Sequence, residues 1–211
     1  MITIYHLENS RSERMIWLME ELGLPYDLQR FPRDPSMMAG EAYRALHPLG
    51  KSPTIRDGDT VLIESGAIVE YILNRYGEGR LSVPVNAPDY PRYIQWMHFA
   101  EGSAMTQLIL HLFLGGYVPG VDQSSPMVAG MMQRTAQLVA FIDGELKDRP
   151  YFAGSEFTGA DVMMAYCFGL ARSLTGGDLA GYPNLAAYIE RIEQRPAYRK
   201  GMAIANPAKA A

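Results

Sequence analysis

The feature that most constrains the fold is an abrupt change in hydrophobic periodicity along the chain. β-type runs occur only in about the first 78 residues, where they alternate with helical patterns. From about Pro88 onward, every patterned segment has helical spacing. A Gly- and Pro-rich stretch between the two halves is typical of a linker. The sequence therefore predicts an α/β domain over 1–79, a linker over 80–88 and an all-α domain over 89–211.

The first half is predicted to follow the order β-α-β-α-β-β-α. The strand-like run "ITIYHL" precedes the helical pattern "SERMIWLMEELG", and "PYDLQRF" resembles a second strand. Asp57-Gly58 is a strong turn signal between two further β runs, and the helical pattern "SGAIVEYILNRYG" follows them. A helical crossover implies parallel strands and a hairpin implies antiparallel strands. The expected sheet is therefore small and mixed.

Composition excludes several classes of function. The net charge of -4 gives no reason to propose nucleic acid or an anionic membrane as a partner. No apolar run approaches the ~20 residues that span a bilayer, and the N-terminus lacks the pattern of a secretory signal. The single cysteine, Cys167, excludes an internal disulfide, and the scattered histidines lack metal-ligand spacing. We expect a cytoplasmic protein without a metal site.

The polar loop "ENSRSERM" lies between the first strand and the first helix, where sheet proteins of this kind often bind ligands. Asn9, Ser10 and Ser12 are short hydrogen-bond donors close to a helix N-terminus. Any of them could stabilise a thiolate, helped by the helix dipole. Each could instead cap the helix, which is the commoner role. His6, in the preceding strand, is expected to be packed.

The segment "KSPTIRDGDTVLIES" has two candidate binding features at its ends. Ser52-Pro53 is either an ordinary strand-entry proline or a cis bond that presents the Ser52 backbone to a peptide-like ligand. Ser65 is predicted as the N-cap of the next helix. Glu64 could bind an ammonium group beside the free N–H groups of that helix, a combination suited to an α-amino acid. A purely structural cap is the alternative.

The second half contributes weaker candidates. Thr158 and Asp161 have the spacing of a capping box, which we expect to be structural. His111 and Met105 lie on the first long helical pattern of this half. Both are candidates for lining an apolar pocket, where methionine adapts readily to different ligands.

The order of these features resembles the cytosolic glutathione S-transferase family, in a bacterial-type member. The resemblance rests on "LGKSPTI" and "LIESGAI" in the first half and on "FTGADVMMA" in the second, and it spans nearly the whole chain. It implies that the first domain is thioredoxin-like and binds glutathione, and that the helical domain forms the electrophile pocket. The residues that it assigns to glutathione are Lys51 for a carboxylate, Ser52 and cis Pro53 for the cysteinyl part, and Glu64 and Ser65 for the γ-glutamyl group.

The resemblance also implies the chemistry. Ser10 matches the thiol-activating serine of theta-like members, whereas Asn9 matches the position used in zeta-like members. Ser10 is predicted as the main thiol donor, with Asn9 as the alternative. No cysteine of the beta or omega type is present. The implied function is conjugation of the glutathione thiolate to small hydrophobic electrophiles, by a homodimer in which Glu101 could face the partner. Glutathione-dependent reduction of disulfides or peroxides, and glutathione binding without catalysis, are the alternatives.

Overall fold

The computed structural model describes residues 1–174 and 179–207 of the chain. These residues form two compact units. One is Met1–Ser82 together with the C-terminal segment that begins at Glu193, and the other is Val83–Ile192. The break at Ser82 falls inside the predicted linker 80–88. At the other end, the segment from Glu193 groups with the first unit, whereas the predicted division assigned all of 89–211 to the helical domain. Residue 211 lies outside the described residues.

The first unit is built on a mixed four-stranded sheet. Its strands are β1 (Ile2–Leu7), β2 (Tyr26–Phe31), β3 (Thr54–Asp57) and β4 (Thr60–Ile63), and its helices are α1 (Glu13–Leu22), α2 (Glu41–Arg44) and α3 (Ser65–Tyr76). The strand order is β2-β1-β3-β4. β1 and β2 are parallel, and the other two pairs are antiparallel. The predicted thioredoxin-like architecture is thus confirmed.

The local signals in the sequence explain these elements. The apolar stripe of α1 is buried, and the helix ends where Gly23 takes the left-handed conformation with φ 63°. Gly58 has φ 59° in the tight turn between β3 and β4. Tyr71 and Tyr76 of α3 donate their hydroxyl groups to the Asp57 carboxylate at the end of β3. This joins α3 to the hairpin.

The remaining helices follow the predicted all-α pattern. They are α4 (Tyr90–Phe99), α5 (Thr106–Leu112), α6 (Pro126–Glu145), α7 (Gly159–Leu174), α8 (Pro183–Glu193) and α9 (Pro196–Ala205). The first long helical pattern of this half, on which Met105 and His111 lie, is instead divided by π-helical segments at Ala100–Met105 and Phe113–Tyr117. No helix among the described residues has both the length and the apolar character needed to cross a bilayer.

The capping box predicted at the start of α7 is present. The Asp161 carboxylate accepts from the Thr158 backbone N–H at 2.9 Å, while the Thr158 hydroxyl accepts from Ala160 N–H at 3.3 Å. Asp161 also accepts from Phe152 N–H and from the Tyr188 hydroxyl, each at 3.0 Å. These contacts give the box a structural role inside the second unit.

Helix α9 returns to pack against α1 in the first unit. Gly201 lies so close to α1 that a Cβ placed on it would be 3.0 Å from the Cα of Trp17. The rings of Trp17 and Tyr198 meet edge to face, with centroids 5.0 Å apart. Arg195, just before α9, forms a bidentate ion pair with Glu21, with both N···O distances at 2.7 Å. These contacts explain why the C-terminal segment belongs to the first unit.

Candidate active site

Three serine hydroxyl groups meet beneath the loop that follows β1. The Ser10 Oγ is 2.8 Å from the Ser12 Oγ and 2.7 Å from the Ser52 Oγ. The Ser12 Oγ is in turn 2.7 Å from Nδ1 of His6. All four side chains are buried. The structure therefore links the loop after β1 to the segment that enters β3 through an interior network of hydrogen bonds.

The direction of these hydrogen bonds follows from His6. Its Nε2 is 3.0 Å from the Ala205 carbonyl oxygen, which can only accept, so Nε2 carries the proton. Burial lowers the pKa of His6 below its ordinary value and favours the neutral ring. In the neutral ring Nδ1 is an acceptor, so the Ser12 hydroxyl donates to it. Ser12, predicted as one possible thiol-activating donor, thus has its proton directed to His6.

Ser10 is engaged in the same network. Its hydroxyl donates to the Leu7 carbonyl oxygen at 2.6 Å, and the Ser12 Oγ is a second interior acceptor at 2.8 Å. Ser52 then donates to Ser10, because the single Ser10 proton is already directed inward. Only 4% of the Ser10 surface is exposed. Donation from Ser10 to an external thiolate would require an interior hydrogen bond to break.

Asn9, the alternative sequence candidate, occupies a different position. Its side chain is exposed, at the surface end of the same loop. Its backbone is left-handed, with φ 49°, a conformation that asparagine tolerates better than most residues. The Asn9 carbonyl oxygen accepts from Nη2 of Arg33 at 2.8 Å. An exposed amide next to the N-terminus of α1 could donate a hydrogen bond to a bound thiolate.

The segment entering β3 carries the next group of predicted residues. The Ser52–Pro53 peptide bond is cis, and Ser52 is 8% exposed. Lys51 is exposed, and its carbonyl oxygen accepts from the Thr54 hydroxyl at 3.0 Å. The Lys51 side chain is therefore at the surface while its backbone is fixed to β3.

The N-terminus of α3 corrects one prediction. Ser65 is the first residue of the helix, and Glu64 occupies the N-cap position without a capping hydrogen bond from its side chain. The Glu64 backbone has φ 72°, an unusual conformation for a residue with a side chain and one that is often found at functional sites. The Ser65 Oγ accepts from Nη1 of Arg14 at 3.2 Å, which leaves its own proton available to donate.

Two arginines of this region were not predicted from the sequence. Arg14 is buried on α1 and places a positive charge beside Ser65 at the N-terminus of α3. The sequence signal was a charged residue next to Met15 and four residues before Leu18, on the apolar side of a helical pattern. Arg33 binds the loop that contains Asn9, and nothing local in the sequence indicates this contact.

The structure brings together only some of the predicted site residues. Ser10 and Ser52 share a hydrogen bond, whereas Met105 and His111 belong to the second unit. Met105 is 3% exposed and lies in the core of that unit. His111 is partly exposed, burial lowers its pKa, and its Nδ1 makes no hydrogen bond within the described part of the chain. The described residues include no cluster of three side chains suited to a metal ion.

Comparison with known proteins identifies the class to which this fold and site belong. Residues 4–80 match the family model "Glutathione S-transferase, N-terminal domain", and residues 105–196 match "Glutathione S-transferase, C-terminal domain". The chain therefore belongs to the glutathione S-transferase family. By family it is a glutathione transferase.

Individual relatives agree with this assignment over almost their whole length. Glutathione S-transferase 3 of Schizosaccharomyces pombe is 31% identical, with 94% of this chain and 86% of that protein covered. Glutathione S-transferase GstB of Escherichia coli K12 is 28% identical, with 95% and 97% covered. The crystal structure of a glutathione S-transferase from Actinobacillus pleuropneumoniae is 29% identical and superposes with a TM-score of 0.85, covering 100% of this chain and 94% of that one.

Proposed function

We propose that this transferase conjugates the glutathione thiolate to small apolar electrophiles and that the Asn9 side chain donates the hydrogen bond that stabilises the thiolate. The hydrogen bonds of the Ser10 hydroxyl are the observation that supports Asn9 as the donor. The Ser10 hydroxyl proton is directed to interior acceptors, whereas Asn9 is exposed one residue earlier in the loop. Ser10 then has a supporting role, holding Ser52 and the loop in place.

Four further residues, together with the N-terminus of α3, are proposed to hold the tripeptide. The Glu64 carboxylate binds the γ-glutamyl ammonium group. The Ser65 hydroxyl and the N-terminal N–H groups of α3 bind the γ-glutamyl carboxylate, which the buried charge of Arg14 attracts. The Ser52 backbone pairs with the cysteinyl part, and the exposed Lys51 ammonium group reaches the other carboxylate.

The energy required for thiol activation is within reach of this arrangement. A free thiol has a pKa of about 8.5, and lowering that pKa by one corresponds to about 1.4 kcal/mol. A hydrogen bond to a charged group contributes about 1.5–3 kcal/mol. One amide donor beside a helix N-terminus is therefore sufficient to lower the thiol pKa by about 1–2.

A titration of bound glutathione tests the assignment of the donor. The ultraviolet absorbance of the thiolate would be followed against pH in the wild type, in Asn9→Ala and in Ser10→Ala. We expect Asn9→Ala to raise the pKa of the bound thiol by about 1 or more, because it removes a donor to the charged sulfur. Ser10→Ala should chiefly lower the stability of the protein, by about 1–3 kcal/mol, because Ser52 loses its buried acceptor.

The opposite pattern would contradict the proposal. A pKa that rises in Ser10→Ala and stays unchanged in Asn9→Ala would return the donor role to Ser10. Ser12→Ala serves as a control for the interior network, because its proton is directed to His6 rather than to solvent. It should alter stability without a change in the thiol pKa comparable to that of Asn9→Ala.

The reaction class is tested with a panel of an aryl halide, a hydroperoxide and a disulfide. The proposal expects the highest kcat/KM with the aryl halide. Preference for the disulfide or the peroxide would favour glutathione-dependent reduction instead. His111 is the proposed contact for the electrophile, and His111→Ala should change the KM for the electrophile without changing that for glutathione. Met105, with its side chain buried, is proposed to support the helix behind such a contact.

We further propose that the enzyme works in the cytoplasm as a homodimer, with Glu101 facing the partner subunit. Family membership supports both points. Sedimentation equilibrium gives the mass in solution, and a monomer at micromolar concentration would contradict the proposed dimer. A Glu101→Ala variant should weaken the dimer measurably if its carboxylate faces the subunit interface.

A further inference from the structure

Arg33 binds both carbonyl groups that flank the proposed thiolate donor. Its Nε donates to the Glu8 carbonyl oxygen at 2.8 Å, and its Nη2 donates to the Asn9 carbonyl oxygen at 2.8 Å. Its remaining Nη1 donates to the Met37 carbonyl oxygen at 2.6 Å. One planar guanidinium group therefore joins two segments of the first unit that are more than twenty residues apart along the chain.

The two segments share an unusual backbone conformation. Asn9 has φ 49° and Met37 has φ 64°, both in the left-handed region. This region costs roughly 1–2 kcal/mol for most residues with a side chain, such as Met37, and less for asparagine, so at Met37 in particular it persists where other contacts hold it. Arg33 binds the carbonyl group of each of these residues. Its hydrogen bonds carry a full charge, which strengthens them relative to neutral ones, and solvent screens part of this gain because all three are exposed.

Arg33 lies at the base of the loop between residues 33 and 39. Its backbone forms an isolated antiparallel bridge with Ala39. Inside the loop the Asp34 carboxylate accepts from the N–H groups of Ser36 and Met38, each at 2.9 Å. The hydrogen bond from the Ser36 hydroxyl to Asp34 lowers the pKa of that carboxyl group and keeps it charged. The guanidinium group thus extends from a fixed point to the loop that contains Asn9.

We infer that Arg33 is a positioning residue for catalysis, which holds the Glu8–Asn9 peptide so that the Asn9 amide points at the glutathione sulfur. The inference rests on the proposed role of Asn9. Arg33 acts through the backbone and touches neither glutathione nor the electrophile in this role. Its fork geometry is essential, because a lysine ammonium cannot bind adjacent carbonyl groups with two parallel N–H groups.

Arg33→Lys is the informative variant, because it preserves the charge and removes the fork. We expect it to raise the pKa of bound glutathione by about 0.5 or more, and to lower kcat/KM by about threefold to thirtyfold. The KM for glutathione should change less, since the contacts of Glu64 and Ser65 are left intact. Arg75→Lys is the matched control. Arg75 lies at the exposed C-terminal end of α3, where it faces Asp57 and Tyr76.

A double-variant cycle separates positioning from direct electrostatics. If Arg33 acts through Asn9, Arg33→Lys should raise the thiol pKa in the wild type and have almost no effect in an Asn9→Ala background. Equal increases in both backgrounds would show that Arg33 acts on the sulfur by itself, and the inference would be wrong. Thermal denaturation of every variant identifies any that fail to fold.

The same cycle distinguishes failure of the inference from failure of the proposed function. If Asn9→Ala raises the thiol pKa and Arg33→Lys does not, Arg33 is not a positioning residue while the role of Asn9 stands. If Asn9→Ala itself leaves the titration unchanged, both are wrong. The amide resonances of Glu8, Asn9 and Ser10 should also move in Arg33→Lys and not in Arg75→Lys.

Discussion

The contact between Gly201 and α1 makes a quantitative prediction for Gly201→Ala. A Cβ at this position would lie 3.0 Å from the Cα, 3.3 Å from the Cβ and 3.3 Å from the N of Trp17. The nearest of these atoms belongs to the backbone, so a rotamer change cannot relieve the overlap and one helix must shift. Overpacking of this kind costs about 1–3 kcal/mol. Replacing glycine by alanine inside a helix returns about 0.5–1 kcal/mol.

Gly169 offers a matched control for the gain in helix propensity. It lies inside α7, it is exposed, and a Cβ there would meet no atom within 4 Å. Gly169→Ala should therefore raise the free energy of unfolding by about 0.5–1 kcal/mol. Because the helix propensity gain is shared, the difference between the two variants isolates the steric cost, which we expect to be about 1–3 kcal/mol against Gly201→Ala.

Urea denaturation followed by circular dichroism measures the unfolding free energy of both variants. The midpoints are compared at an unchanged dependence of that free energy on urea concentration. The result has a functional component as well. The Ala205 carbonyl oxygen at the end of α9 accepts from Nε2 of His6, and His6 holds Ser12 in the network beneath the site. Gly201→Ala should therefore also raise the KM for glutathione. If Gly201→Ala stabilises the protein as much as Gly169→Ala does, α9 is free to shift and the close packing inferred for Gly201 is wrong.

Two further predictions concern buried ionisable groups. The unfolding free energy should fall as the pH drops below about 6.5, because burial lowers the pKa of His6 and the unfolded chain takes up that proton first; urea midpoints across this range should show a shallower slope in His6→Gln. Asp161→Ala should cost about 2–4 kcal/mol in thermal denaturation, since the N–H groups of Phe152 and Thr158 lose their acceptor. Burial raises the pKa of Asp161 to about 6, so the buried carboxylate is itself less favourable than it would be in water. This cost offsets part of the stability lost on substitution. A loss below about 0.5 kcal/mol would mean that water replaces the carboxylate.

The sequence was sufficient to predict most of the fold because the residues that end its helices and form its turns act locally. Gly23 ends α1 and Gly58 forms the hairpin turn, and each takes the positive φ that its place in the pattern predicts. The π-helical segments were not predictable, since they use the same residue types as the α-helix around them. The return of α9 to α1 was missed for a similar reason. Its main signal is Gly201 inside a helical pattern, which by itself does not say which helix comes close.

The sequence predicted those parts of the site whose residues are close along the chain. Ser52 and Glu64 flank a hairpin whose turn is visible in the sequence, so their positions at the two ends of one segment could be predicted. The role of Ser10 could not be, because its partners are the backbone oxygen of Leu7 and the hydroxyl of Ser52, 42 residues away. Ser65 was misplaced by one residue for a related reason. The backbone of Glu64 turns into the helix at positive φ, and no propensity for glutamate indicates this.

A comparison of energies supports the proposal that the exposed Asn9 amide, and not the buried Ser10 hydroxyl, stabilises the thiolate. A donor to the thiolate contributes about 1.5–3 kcal/mol. For Ser10 to supply it, the 2.6 Å hydrogen bond from Ser10 to the Leu7 carbonyl oxygen would have to break, and a hydrogen bond of this kind contributes about 0.5–1.5 kcal/mol. This loss offsets part of the gain. In the proposed arrangement Asn9 donates from an exposed position, and the buried serines keep the loop rigid, so that little ordering remains to be done when glutathione binds.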